Sequence, residues 1–172
     1  MTTIEYDSNE NFRDLLERIK SADGTPIEKL LVLDLATCSE CVNGVYIFTS
    51  NEKTPLYVGK AQSQSFAQRI GIHFDTRTDG AMGTILKRVK LIEKLSSPVA
   101  GLQFLKEKGA RLTLLIFGDQ PIANAVISKL ERYLIRGLDV VAPNGYNTVY
   151  GVKNLVLSTD DFNAKCKVLF EA

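Results

Sequence analysis

Residues 44–60 carry the strongest structural signal in this chain and read GVYIFTSNEKTPLYVGK. Apart from the leading glycine, residues 44–49 are β-branched or aromatic, which is typical of a strand. A polar turn with a proline follows, and residues 56–59 return to an extended pattern. The segment therefore predicts a β-hairpin, whose antiparallel strands carry Tyr46 and Tyr57.

Two glycines, Gly44 and Gly59, stand inside these predicted strands. Glycine weakens a strand and often marks a place where another backbone or a ligand comes close. Lys60 follows the second glycine directly. The hairpin is therefore a candidate site, although cross-strand aromatic pairs are also common as plain stabilisers of a sheet.

The segment after the hairpin predicts a helix over residues 65–74, with apolar residues at spacings of four. Arg69 and His73 are four residues apart and share one face of that helix. Together with Lys60 and the tyrosines they suit a phosphate, because cations offset its charge and a tyrosine or histidine could move a proton.

A carboxylate lies beside the buried face of the helix predicted over residues 121–138. Glu131 follows Leu130 and precedes Leu134 by three residues, within an apolar stripe at steps of three and four. A charge there is costly unless it is paired or binds a metal. Three interpretations stay open: an ion pair with a nearby base, a stripe edge that reaches water, or an oxygen ligand for Mg²⁺ or Mn²⁺.

Charge is unevenly distributed, although the net charge is +1. Residues 1–43 carry nine acids and four bases, whereas residues 53–111 carry eleven bases and four acids. A basic middle indicates a polyanion-binding surface, with a solvated charged helix as the alternative. The bases are densest on a helix predicted over residues 84–95, at Lys87, Arg88, Lys90 and Lys94.

Length and composition fit one globular domain: 172 residues, of which 45% are hydrophobic, can bury a core. The chain lacks an apolar run of the roughly 18 to 20 residues that a membrane helix needs. Its polar, acidic start does not resemble a signal peptide, so we expect a cytoplasmic protein without membrane contact. Cys38 and Cys41 form a lone CxxC, which we interpret as ordinary thiols rather than a zinc or redox site.

In this order the residues resemble the GIY-YIG nuclease family. Gly44-Val45-Tyr46, ten residues, then Tyr57-Val58-Gly59 is similar to the paired signature of that family, with valine for isoleucine in both halves. Further residues follow in the family's order, over a stretch from about 44 to 148: Lys60, Arg69, His73, Glu131 and Asn147.

The resemblance implies an α+β fold, with a three-stranded antiparallel sheet flanked by helices. We expect an acidic helical N-terminal extension over residues 1–42, with an amphipathic helix over residues 9–20 and a second helix over about 26–36. The nuclease-like domain would span residues 43–150, with a basic helical insertion at about 75–109. A strand and a helix within residues 151–172 would pack on that domain.

The resemblance also implies catalytic roles. Glu131 would hold one Mg²⁺ or Mn²⁺ ion, which would polarise the scissile phosphate. Tyr46 would be the general base for the attacking water, and Arg69 would stabilise the transition state. Tyr57 would hydrogen-bond within the site, and Asn147 would brace it from its loop.

A tyrosine base needs help, because a free tyrosine titrates near pH 10. Lys60, Arg69 or His73 could lower the pKa of Tyr46. The expected function is a metal-dependent endonuclease on double-stranded DNA, of a restriction or phage or mobile-element type, and a homodimer would suit cleavage of both strands of a palindrome. The alternative is a catalytically inactive nucleic-acid-binding or assembly protein with the same fold, but none of the matched catalytic residues is missing.

Overall fold

The computed structural model describes residues 1–7, 10–31, 35, 43–62, 64–77, 84–117 and 124–147. The CxxC pair, Cys166, and the strand and helix predicted within residues 151–172 lie outside these ranges.

A mixed sheet of five strands forms the centre of the described part of the chain. The strands are β1 (Thr3–Glu5), β2 (Thr25–Pro26), β3 (Gly44–Thr49), β4 (Pro55–Ala61) and β5 (Arg111–Ile116). β3 lies between β4 and β5 and is antiparallel to both, which confirms the predicted hairpin and the α+β class. β1 pairs with β5 in parallel, and β2 pairs with β5 antiparallel.

The sheet is therefore larger than the three antiparallel strands that we expected, and the first 42 residues are not purely helical. β1 alternates exposed, buried and exposed residues and covers the edge of β5, whose backbone groups need partners. The predicted helix over residues 26–36 begins instead as β2 followed by a 3-10 turn at Ile27–Lys29. Ile27 N–H donates to the Ala110 carbonyl at 2.9 Å, so pairing beside β5 replaces the first helical turn.

Five α-helices are described: α1 (Phe12–Ser21), α2 (Phe66–His73), α3 (Ile85–Ile92), α4 (Pro98–Glu107) and α5 (Asn124–Gly137). α2, α3 and α5 lie within the helices predicted over residues 65–74, 84–95 and 121–138, α1 lies in the expected helical extension, and α4 lies in the expected helical insertion. The first four begin at a side chain that accepts a hydrogen bond from the first helical turn, which satisfies a backbone N–H that would otherwise lack a partner. These N-cap residues are Asn11, Ser65, Thr84 and Ser97.

The sheet separates two apolar layers. One face carries Val45, Ile47 and Val58 and packs against α1 and α5. The opposite face carries Tyr46 and Tyr57 and is covered by residues of α2, α3 and α4. Both tyrosines thus face the layer that includes the predicted insertion, which here forms part of the core.

None of the helices in the described ranges is long and apolar enough to cross a membrane.

Candidate active site

The two tyrosines of the hairpin lie together, but not directly opposite one another. Gly59 is the register partner of Tyr46, and Phe48 is the partner of Tyr57. The Tyr46 and Tyr57 rings are stacked diagonally across the strands, with centroids 6.3 Å apart and planes inclined by 27°. A Cβ at Gly59 would collide with the ring and hydroxyl of Tyr46. Glycine is therefore required at this position so that the phenol can lie over β4.

Gly44 is also explained by packing rather than by a ligand. Its φ is 154°, a conformation that L side chains rarely adopt, and a Cβ there would meet the Leu115 carbonyl and the Phe66 ring. The prediction that both glycines mark a close approach is thus confirmed, with β5 and protein side chains as the approaching groups.

His73 joins α2 to the tyrosines. Its Nε2 lies 2.5 Å from the Tyr46 hydroxyl, and its Nδ1 accepts a hydrogen bond from the backbone N–H of Ile85 at 2.9 Å. Because Nδ1 accepts, the proton of the neutral imidazole is on Nε2, which donates to Tyr46. The first turn of α3 therefore fixes the tautomer of His73.

The surroundings keep His73 neutral. Burial lowers its pKa to about 3, and the charges of Arg69 and Arg88 act in the same direction. The side chain is almost fully buried, at 1% exposure. With Nδ1 accepting and Nε2 donating, neither nitrogen is free to take a proton from Tyr46. His73 can therefore orient the phenol and stabilise its anion, but it does not act as a base toward Tyr46.

Both tyrosine hydroxyls are protonated at neutral pH in this state. Burial raises the pKa of Tyr46, and the neighbouring Tyr57 raises it further, whereas the charge and hydrogen bonding of Arg69 lower it in part. Burial also raises the pKa of Tyr57, against the opposing charge of Arg88. Glu131 contributes a smaller increase to both pKa values, which places its carboxylate within electrostatic range of the two phenols.

Glu131 forms an ion pair, one of the interpretations that the sequence left open. Its Oε2 lies 3.0 Å from Lys60 Nζ, which also donates to the Ser128 hydroxyl at 3.0 Å. The side chains of Lys60 and Glu131 keep 30% and 19% of their surface exposed. Lys60 thus lies on the α5 side of the sheet and neutralises Glu131, rather than standing beside the tyrosines. The sequence already indicates this placement. Successive side chains of a strand alternate between faces, so Lys60, three residues after Tyr57, lies on the opposite face from it.

Two polar residues of this ion-pair region were not singled out in the sequence. Gln62 Nε2 donates to Ser128 Oγ at 2.7 Å, and Ser128 also accepts from Lys60. Ser128 precedes Glu131 by three residues and thus shares its helix face, which is the signal that could have identified it.

Asn147 holds the edge strand β4 at the site. Its Oδ1 accepts from the Val58 N–H at 2.8 Å, and its Nδ2 donates to the Val58 carbonyl at 2.7 Å. The side-chain amide therefore replaces a neighbouring strand for the residue between Tyr57 and Gly59. These bonds support the expected bracing role of Asn147. Asn144, three residues earlier in the same turn and the other asparagine that could fill this role, is instead exposed and bonds to Asp139 at 2.6 Å.

The predicted nucleic-acid-binding bases are not equivalent. Lys87 and Lys90 are half-buried on α3, and Lys94 is exposed just after it, with φ 54°. Arg88 instead lies over the Tyr57 ring, with its guanidinium carbon 5.3 Å from the ring centroid. The structure therefore assigns Arg88 to the tyrosine site.

The described residues contain no group of three or more histidine, cysteine, aspartate or glutamate side chains that could hold a metal ion by themselves. Glu131 is thus a single carboxylate, and any divalent ion there would need further oxygen ligands from a substrate or from water.

Comparison with protein-family models, with curated proteins and with solved structures finds no match for this chain. The candidate site is thus a cluster of two buried tyrosines and a buried, neutral histidine with two half-buried arginines, and the ion-paired Glu131 lies within electrostatic range of the tyrosines.

Proposed function

We propose that this protein is a metal-dependent nuclease of the GIY-YIG type, which hydrolyses nucleic-acid phosphodiester bonds. One observation carries the proposal: Tyr46, Tyr57, Arg69 and His73 come from three separate elements and meet on one face of the sheet. These are the positions that the family resemblance assigns to the reaction.

A cluster of polar and charged side chains is an energetically unfavourable way to fill a core. Removing polar and charged groups from water is costly, and apolar side chains would pack the same space without that cost. Strongly shifted pKa values in one buried cluster are instead typical of catalytic sites. The shifts of Tyr46 and His73 follow this pattern.

In the proposed reaction Tyr46 first loses its hydroxyl proton to solvent water, and the resulting phenolate then takes a proton from the attacking water. The pKa of Tyr46 must fall for this deprotonation, since burial raises it in the free protein. The Nε2–H of His73 stabilises the phenolate by hydrogen bonding, and Arg69 stabilises it by charge. Arg69 also offsets the negative charge that grows on the phosphate in the transition state.

Glu131 fits the role of metal ligand. Mg²⁺ is commonly held by one or two carboxylates together with substrate phosphate oxygens and water, and Glu131 keeps part of its surface exposed. A bound Mg²⁺ or Mn²⁺ would supply Lewis-acid polarisation of the phosphate. Until then Lys60 neutralises the carboxylate, so the ion pair must loosen when a cation binds.

Access to Tyr46 requires a rearrangement, because its side chain has no exposed surface. Arg69 is half-buried and interacts with the Tyr46 hydroxyl. A substrate phosphate bound by Arg69 would thus lie close to the phenol, where the same guanidinium can stabilise both negative charges. A second copy of the chain would supply a second site for the opposite strand of a duplex.

The test is cleavage of supercoiled plasmid, branched DNA and RNA by purified protein, with Mg²⁺ or Mn²⁺ and with excess chelator. Glu131→Ala should abolish metal-dependent cleavage, whereas Glu107→Ala, an exposed carboxylate on α4, should leave it unchanged. Binding without cleavage of any substrate would instead support the inactive binding protein.

The basic helix can be tested by binding. Replacing Lys87, Lys90 and Lys94 together by alanine should weaken nucleic-acid binding and flatten its dependence on salt concentration, because fewer phosphates are neutralised. Identical binding curves for both proteins at every salt concentration would contradict this role.

A further inference from the structure

Arg88 has an unusual position for a residue of a basic surface helix. Its guanidinium lies over the Tyr57 ring at 5.3 Å, and its Nη1 donates to the backbone carbonyl of Tyr146 at 3.3 Å. The adjoining residue, Asn147, clamps β4 at Val58. Arg88 thus connects α3 to the edge of the sheet where the tyrosines lie.

The charge of Arg88 reaches the centre of the cluster. It opposes the effect of burial on Tyr57, and it acts on His73 together with Arg69. The two arginines therefore create a positive potential around one imidazole. Like charges gathered in a partly buried place are unfavourable unless an anion joins them.

Within the described ranges, no carboxylate provides that anion. The ion pairs of this part of the chain involve other bases: Arg18, Lys20, Lys53, Lys60 and Arg77. Glu131, the carboxylate proposed as the metal ligand, is already paired with Lys60. A guanidinium has five N–H donors in a planar fork that matches phosphate oxygens.

We propose that Arg88 binds the phosphate of the nucleic acid at the reaction centre, as a second arginine beside Arg69. The inference rests on the proposed nuclease function. It assigns Arg88 to the chemical step and leaves the other bases of α3 to general attraction of the polyanion. A residue from α3, in the predicted insertion, then completes the site formed by the hairpin and α2.

The test compares variants in single-turnover cleavage at saturating substrate. Arg88→Ala should lower the rate constant by about 100-fold or more, the size of effect found when one donor to a developing negative charge is removed. Substrate binding should change only a few-fold. Lys106→Ala, an exposed base on α4, is the matched control and should cleave at the wild-type rate.

Two further measurements separate contact with the phosphate from a merely structural role. Added guanidinium ion at non-denaturing concentration should partly restore cleavage by Arg88→Ala, since it can refill the vacated position. Arg88→Gln removes the guanidinium charge but keeps a polar side chain of intermediate length on α3, so it should preserve the fold, yet it should cleave as slowly as Arg88→Ala. It also serves as the test variant if Arg88→Ala does not fold.

Wild-type cleavage rates for folded Arg88→Gln would overturn the inference and leave the nuclease proposal intact. A pure binding defect with an unchanged rate constant would overturn it as well. If the wild-type chain cleaves no nucleic acid at all, the proposed function fails, and the role of Arg88 fails with it.

Discussion

The protonation state of His73 gives the sharpest physical prediction, because this is the only histidine in the chain. The perturbation is a change of pH from 7.5 to 5.0. In the unfolded chain the imidazole titrates near its ordinary value of about 6.5, whereas in the folded protein its pKa is about 3. Between these values only the unfolded state takes up a proton.

The sign of the effect follows directly. A lowered folded-state pKa gives a contribution to stability that is complete above about pH 6.5 and is lost as the pH falls toward 3. One pKa unit corresponds to about 1.36 kcal/mol, and pH 5.0 is about 1.5 units below the unfolded value. The free energy of unfolding should therefore decrease by about 2 kcal/mol between pH 7.5 and 5.0.

Urea unfolding at the two pH values measures this decrease. His73→Gln is the control: its side-chain amide can donate to Tyr46 but does not titrate, so it should lack the 2 kcal/mol decrease. In NMR spectra of the folded wild type, the single imidazole should not titrate between pH 8 and 5, and its proton should be on Nε2. Titration near pH 6.5, or equal pH dependence in both proteins, would refute the assigned hydrogen bonds.

Two backbone predictions have internal controls. Gly59→Ala should lower the free energy of unfolding by about 1–3 kcal/mol, because the new methyl meets the phenol opposite, whereas Gly71→Ala on an open helix face should raise it by about 0.5–1 kcal/mol. Asn147→Ala should cost about 1–3 kcal/mol for each of the two Val58 backbone groups that lose their partner, whereas exposed Asn144→Ala should cost much less. Thermal and urea unfolding check both pairs, and similar losses within either pair would contradict the packing described.

The elements that could be predicted from sequence are those with a local signal. The extended pattern and the polar turn predict the hairpin, and the apolar stripes and capping residues predict the helices. β1 has only three residues, and its partner lies more than 100 residues away, at Leu114–Ile116. The strand propensity of three residues is too weak to predict a strand, so pairing along the edge of β5 determines the conformation of β1.

The residues of the candidate site also divide into those with a local sequence signal and those whose contacts depend on the tertiary structure. Spacing placed Arg69 and His73 on one face of a helix, and the structure brings His73 to Tyr46. The choice of Lys60 as partner of Glu131 depends on how α5 crosses β4, which no spacing along the chain reveals. Arg88 follows Ile85 by three residues, so its edge position on the buried face of α3 was visible, but its contact with Tyr57 was not.

The most direct test of the account is the cleavage rate of Tyr46→Phe. This change removes one buried hydroxyl, which bonds to His73, and leaves the ring in place. The control is Tyr6→Phe, whose ring packs edge-on against Phe117 in the layer on the other face of the sheet. With a metal present, Tyr46→Phe should cleave about 100-fold to 10,000-fold more slowly than wild type, the range expected for loss of a general base, and the control should match wild type. Wild-type cleavage by a folded Tyr46→Phe would contradict a reaction centred on this tyrosine.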